Sequence, residues 1–425
     1  MKKFILKINF IYKYDIINFL LCHQTTPNTC KLTQLPLYLL TNSQNQKESE
    51  SFFDPISNQF RLITIKPKLH RFMRFKTLLL SLVACCSSAL SFAATDSTSL
   101  ESSSTKAKAL NVKLFLRGDY RGDFYDGSST SRFTMKPAMV DVYGQFNPMF
   151  GYYFRQRFDT PFTIQSDGIP ASTLMAYVQI TPVKGLNIRL GKQAIAYGSW
   201  EFDYNPMDVY FYSKVGSMTQ GFSTGAYAGY TIGTQSFAYQ VTKTLDDAYI
   251  VPGYKSAFNN TFQWGGNFFD GAFKTLWSYT LINADKGKFL HQYMLGNQIN
   301  IGRVSVDLDY MQLSRFSDYE YNDSKRIKTT DRSYLANVKW LLPKNRVTLQ
   351  LKCVYDESRA FGRCVNEQIT TSTVCEYNLF PQYGLSLHAA YAYRINNTPE
   401  EFASAFQTKN ENMIVTGFSW NFKAL

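Results

Sequence analysis

The sequence predicts an all-β fold: a closed, transmembrane antiparallel β-barrel of about sixteen strands. Three observations point to it. Apolar and polar residues alternate with a period of two in segment after segment beyond Leu110, giving each strand one greasy and one charged face. Along the same stretch, short turns alternate with longer polar connections. Aromatic residues make up 16% of the chain against 18% charged, with 29 Tyr and 34 Phe, which suits strands that meet lipid and headgroups.

Residues 1–72 fit no part of that pattern and read as an over-extended gene start. Met73 opens a secretory leader, residues 73–93: Arg74 and Lys76 are basic, Thr77 to Leu90 is apolar, and Ser91-Phe92-Ala93 is a small-x-small cleavage site. Leu82-Val83-Ala84-Cys85 offers a lipoprotein-type site as an alternative. A Ser/Thr-rich lead-in, 94–109, precedes the barrel, 110–425. The net charge of +13 suggests a nucleic-acid partner, but residues 1–93 hold 12 of the 45 basic and 4 of the 32 acidic residues. Beyond Ala93 the balance is 33 against 28, a net +5, so nucleic acid is not an expected partner.

Within the barrel, Val112, Leu114 and Leu116 alternate with Lys113, Phe115 and Arg117. Leu186, Ile188 and Leu190 alternate with Asn187 and Arg189 after the turn Pro182–Gly185. Val304, Val306 and Leu308 alternate with Ser305, Asp307 and Asp309; similar patterns run through 346–352 and 385–394. Short turns are expected at 147–151, 182–185, 233–234, 269–271, 302–303, 342–345 and 381–384. Longer loops are expected at 123–131, 159–172, 196–221, 243–255, 285–288, 315–331, 356–366 and 396–410. Seven turns between eight loops imply sixteen strands. No apolar run is long enough for a membrane helix, and open sheets cannot span a bilayer because their edges stay unsatisfied. Ile414, Phe418, Trp420 and Phe422 share one face of the last strand, as a closing strand against lipid would require.

Cys353, Cys364 and Cys375 are the cysteines beyond the leader, enough for one disulfide and one free thiol. No Cys/His cluster has metal-ligand spacing, so neither a metal nor another cofactor is expected. Three segments resemble porins of the phosphate-selective porin O and P family, in the version found in Bacteroidetes outer membranes. They are MKPAMVDVYGQFNPMFGYYFRQRFDTP (135–161), the stretch containing RLGKQ and GSWEFDYNPMDVYFYS, and the terminal GFSWNFKAL. The resemblance implies a sixteen-stranded, water-filled, trimeric outer-membrane channel whose third external loop, here Ala196–Gly221, folds inward. It does not carry phosphate selectivity with it, because no dense lysine ladder is visible.

Arg155, Arg157 and Asp159 lie two apart and share a side. Facing lipid, each arginine would cost about 2–4 kcal/mol near the midplane, so these residues should line the lumen. Alternation adds Lys113, Arg117, Arg121, Arg189, Lys352 and Arg394. The loop supplies Trp200, Glu201, Asp203 and Asp208. Cations facing acids across a constriction would screen solutes by size and charge, with a weak anion preference. The same charges could instead pair with one another along a wet wall. The expected partners are outer-membrane lipid, small hydrophilic solutes or anions, and two further copies of the chain. Two rival classes are a barrel-borne hydrolase, for which His388 is the candidate base, and a surface adhesin or structural barrel.

Overall fold

The computed structural model describes residues 110–424 apart from 126, 252, 318–326, 404–405 and 407. The expected leader and lead-in lie outside the described residues. Sixteen strands follow one another: β1 (Asn111–Tyr125), β2 (Ser128–Gln145), β3 (Phe150–Arg157), β4 (Thr173–Ile180), β5 (Leu186–Ala194), β6 (Phe222–Ile232), β7 (Gln235–Lys243) and β8 (Phe258–Phe268). They continue as β9 (Phe273–Asp285), β10 (Lys288–Ile301), β11 (Val304–Ser317), β12 (Ile327–Leu341), β13 (Val347–Ala360), β14 (Arg363–Phe380), β15 (Leu385–Asn397) and β16 (Glu411–Lys423). Each pairs antiparallel with its neighbours in the chain, and β1 pairs with β16 to close the barrel, Leu114 opposite Phe422 and Tyr120 opposite Thr416. Closure satisfies every strand's backbone donors and acceptors, which is what allows strands to cross a bilayer.

The period of two sorts the side chains. On β1, Leu114, Tyr120 and Phe124 are exposed while Phe115, Arg117, Asp119 and Asp123 are buried. On β16, Ile414, Phe418, Trp420 and Phe422 are exposed against buried Glu411, Met413 and Val415. The outer wall is rich in aromatic side chains. Towards the end with the short turns stand the edge-to-face pair Trp264–Trp277 and the pair Trp420–Phe422. The ring pairs Tyr239–Phe262, Tyr279–Tyr293, Tyr310–Tyr334 and Tyr334–Tyr355 lie on the same wall. Leu308 and Leu351 lie exposed among them, as a lipid-facing wall requires.

Three connections depart from the expected alternation of short and long. Only residues 126–127 separate β1 from β2, Lys286-Gly287 separates β9 from β10, and Phe361-Gly362 separates β13 from β14. The expected loops 123–131 and 356–366 are therefore mostly ladder: Asp123 pairs with Thr130, and Ser358 with Asn366. Their polarity is that of strands running past the apolar band, where both faces meet water. Phe361 and Gly362 have φ of 52° and 76°, the positive values of a tight hairpin turn matched to strand twist.

Candidate functional site: a loop anchored inside the barrel

The connection from β5 to β6, residues 195–221, is the longest between described strands, and it folds into the barrel. Three short helical turns shape it: Trp200–Asp203, Pro206–Asp208 and Lys214–Met218. Each is started by a side chain that accepts a hydrogen bond from a free backbone N–H, namely Ser199, Asn205 and Ser213. Gly198 brings the loop against β9: its N–H donates to Ser278 Oγ at 2.8 Å, and a Cβ there would lie 2.2 Å from the Ser278 nitrogen. Only glycine fits so close to a strand.

From that contact the loop crosses the interior and is tied to strand after strand. Ser199 Oγ donates to Asp309 at 2.5 Å, and Tyr204 Oη to Asp307 at 2.6 Å. Val215 N–H donates to Ser333 at 3.1 Å and Lys214 N–H to Asp356 at 3.1 Å. Lys352 donates to Glu201 Oε1 at 2.5 Å and to the Phe211 carbonyl at 2.7 Å. Tyr210 Oη donates to Glu376 at 2.6 Å, and Lys214 Nζ to Asn366 at 2.6 Å. On the far side Arg117 donates to the Met207 carbonyl at 3.0 Å and lies 4.0 Å over the Tyr210 ring. Strands β9 and β11 to β14, together with β1, thus hold one loop. Every wall residue that touches it must face inward, which fixes the inner face of those strands.

By that alternation Lys113, Arg117, Arg121, Arg155, Arg157, Arg189, Lys352 and Arg394 stand on the inner face. The cations do not form a bare row facing loop acids. Arg117 pairs with Asp119 at 2.9 Å, Arg121 with Asp123 at 2.7 Å, Arg155 with Asp141 at 2.6 Å and Arg394 with Glu411 at 3.0 Å. Arg157 pairs with Asp159. For Arg117, Arg121 and Arg157 the physical reason is the period of two, since Arg-x-Asp puts both charges on one face within reach of each other, whereas Arg155 and Arg394 stand opposite Asp141 and Glu411 on the neighbouring strand. Lys113 and Arg189 have no carboxylate partner among the described residues. Lys113 lies 5.4 Å over Tyr143, and Arg189 lies 4.6 Å over Tyr227 and 5.7 Å from Tyr177.

The loop residues divide in two. Trp200 and Glu201 are buried against the wall, Glu201 accepting from Lys352 and from Ser213 N–H and Oγ at 2.9 and 2.6 Å. Asp203 and Asp208 are exposed. The surrounding wall still raises the carboxyl pKa of both, and burial together with the nearby Glu376 charge pushes Asp208 up to about 6. His388 Nε2 lies 2.8 Å from Asp119, with its ring against Tyr210. Cys353, Cys364 and Cys375 form no disulfide with one another.

Sequence reasoning missed the acids that dock the loop, Asp307, Asp309 and Asp356, and the buried Lys214. The alternation around Asp307 and Asp309 already marked them as inward-facing. Their partners, 100 or more residues away, carried no signal.

Residues 110–312 match the family model described as phosphate-selective porin O and P. Over those residues the chain is similar to that family, and with the closed barrel the match makes it an outer-membrane porin. No curated protein matches the sequence. Among solved structures, the porin is similar to the outer-membrane channel DcaP of Acinetobacter baumannii at 13% identity and a TM-score of 0.54, covering 75% of this chain and 99% of that one. It is similar to OmpT of Vibrio cholerae in its trimer form at 11% identity and a TM-score of 0.52, covering 74% and 100%. An anion-selective porin from Comamonas acidovorans matches at 11% identity and a TM-score of 0.52, covering 75% and 100%. At these identities the structures speak for the porin's fold alone.

Proposed function

We propose that this porin lets small hydrophilic solutes diffuse passively across the outer membrane, through an opening that the loop 195–221 narrows. The observation that carries this reading is the loop itself, tied across the interior by buried polar contacts to six strands. A loop meant only to plug or to decorate a barrel would not need its exposed acids, Asp203 and Asp208, on the aqueous side. Charge discrimination is weak, because most wall cations are neutralised by their own carboxylates. Lys113 and Arg189, left without such partners, tip it towards anions. The porin works as a homotrimer, a reading that the trimer form of the similar Vibrio protein supports, and export starts from a signal peptide at Met73. His388 belongs to the loop anchorage rather than to a hydrolase site. The test is reconstitution into planar bilayers under a salt gradient. A reversal potential on the anion side is expected, and clear cation selectivity would overturn the charge assignment. Native mass spectrometry in detergent should give three copies; a monomer would overturn the trimer.

A further inference from the structure

One row of inner-wall side chains takes no part in anchoring the loop. Tyr143, Tyr153 and Tyr177 stand directly opposite one another on β2, β3 and β4. Their rings are nearly parallel, with centroids 5.5 Å apart at 18° and 5.7 Å apart at 9°. Lys113 caps the row on one side and Arg189 on the other. The row lies just inside the end of the barrel with the short turns, since Tyr143 is two residues from the end of β2 and Tyr177 three from the end of β4. A cavity of about 270 Å³ opens on it, lined by the three tyrosines with Asn111, Gln145 and Gln179. Gly151 on β3 leaves room there, for a Cβ would sit 3.1 Å from the Gly144 carbonyl.

The chemistry of that lining selects a ligand class. No charged side chain lines the cavity, so it is not built for an oxyanion. Carboxamides both donate and accept, which matches hydroxyl groups that do the same. Aromatic rings complement the weakly positive C–H surface of a pyranose, and the cavity falls just under the ~300 Å³ at which small-molecule clefts begin. Tyr153 is fixed by its hydroxyl bond to Asp141 and the Arg155 guanidinium 3.1 Å away. The hydroxyls of Tyr143 and Tyr177 and the amides of Gln145 and Gln179 make no side-chain hydrogen bond with another described residue, and so are open to a ligand. The geometry points to a binding subsite for a neutral saccharide on the inner wall, at the barrel end with the short turns. It retains sugars on their way through and makes their passage saturable. This rests on the channel reading above, which puts the inner wall in contact with permeating solute.

The test is ionic current through the full-length porin in planar bilayers, titrated with maltotriose from the side of the short turns. Saturable block is expected. Tyr177→Ala should raise the half-blocking concentration by about fivefold, the effect of losing one ring contact. Gln179→Ala should raise it too, while Tyr239→Ala on the outer wall should leave it unchanged. Heat-modifiable migration checks that each variant has folded. Current that ignores both maltotriose and cellotriose, equal block in all variants, or block by inorganic phosphate but not by sugar would overturn the subsite. If the folded porin carries no current, the channel reading fails. Saturation-transfer NMR with maltotriose on the detergent-solubilised porin then decides the subsite, with a Tyr177-dependent signal supporting it and no signal overturning it.

Discussion

Replacing Lys352 with Met should loosen the loop without touching the barrel. Lys352 contributes a charge to Glu201 at 2.5 Å and a hydrogen bond to the Phe211 carbonyl at 2.7 Å, and the two charged side chains are 8% and 1% exposed. Removing one partner of a buried pair leaves the other charge uncompensated, at a cost of about 3–5 kcal/mol. Glu201 keeps its two bonds from Ser213, so the lower end, about 3 kcal/mol, is expected. That corresponds to roughly a hundredfold change in the balance between docked and released loop. The variant should keep its heat-modifiable mobility, and its single-channel traces should gain a higher-conductance substate. Combining Lys352→Met with Glu201→Gln should remove most of that substate, because a neutral pair leaves no stranded charge. Wild-type conductance in the single variant, with no new substate, would refute the idea that this pair holds the constriction.

Arg189→Gln removes an inner-wall cation that has no carboxylate partner, and should move the reversal potential towards cations more than Arg394→Gln does, since Arg394 is already paired with Glu411. Acid should have the opposite effect. With its carboxyl pushed up to about 6, Asp208 is ionised at pH 7.5, half-protonated near pH 6 and neutral at pH 4.5. The constriction loses negative charge on acidification, so anion preference should rise through that window, and Asp208→Asn should flatten the rise. Leu351→Arg places a charge on the lipid face of β13. It should cost about 2–4 kcal/mol, read from urea unfolding in lipid vesicles.

Barrel closure and strand number were legible because the alternation in segments such as 304–310 and 346–352 survives the polar lumen, and because Ile414, Phe418, Trp420 and Phe422 mark the lipid face of the last strand. The limits of the strands were not legible. Where β1, β2, β13 and β14 run beyond the apolar band, Asp123 or Asn366 reads the same in a ladder as in a loop. Within the site, Arg117 and Asp119 illustrate what the spacing contained: two charges on one face, two residues apart, pair with each other before they meet anything across the lumen. The register between Ser199 and Asp309, or Glu201 and Lys352, depends on how a 27-residue loop folds back through the barrel. No local pattern encodes that.

Single-channel recording of the refolded porin tests the central claim most directly, that the barrel is an open passage narrowed by its own loop. Discrete, ohmic current steps are expected, and they should grow when Lys352 is replaced. A silent bilayer containing correctly folded, heat-modifiable protein would contradict it.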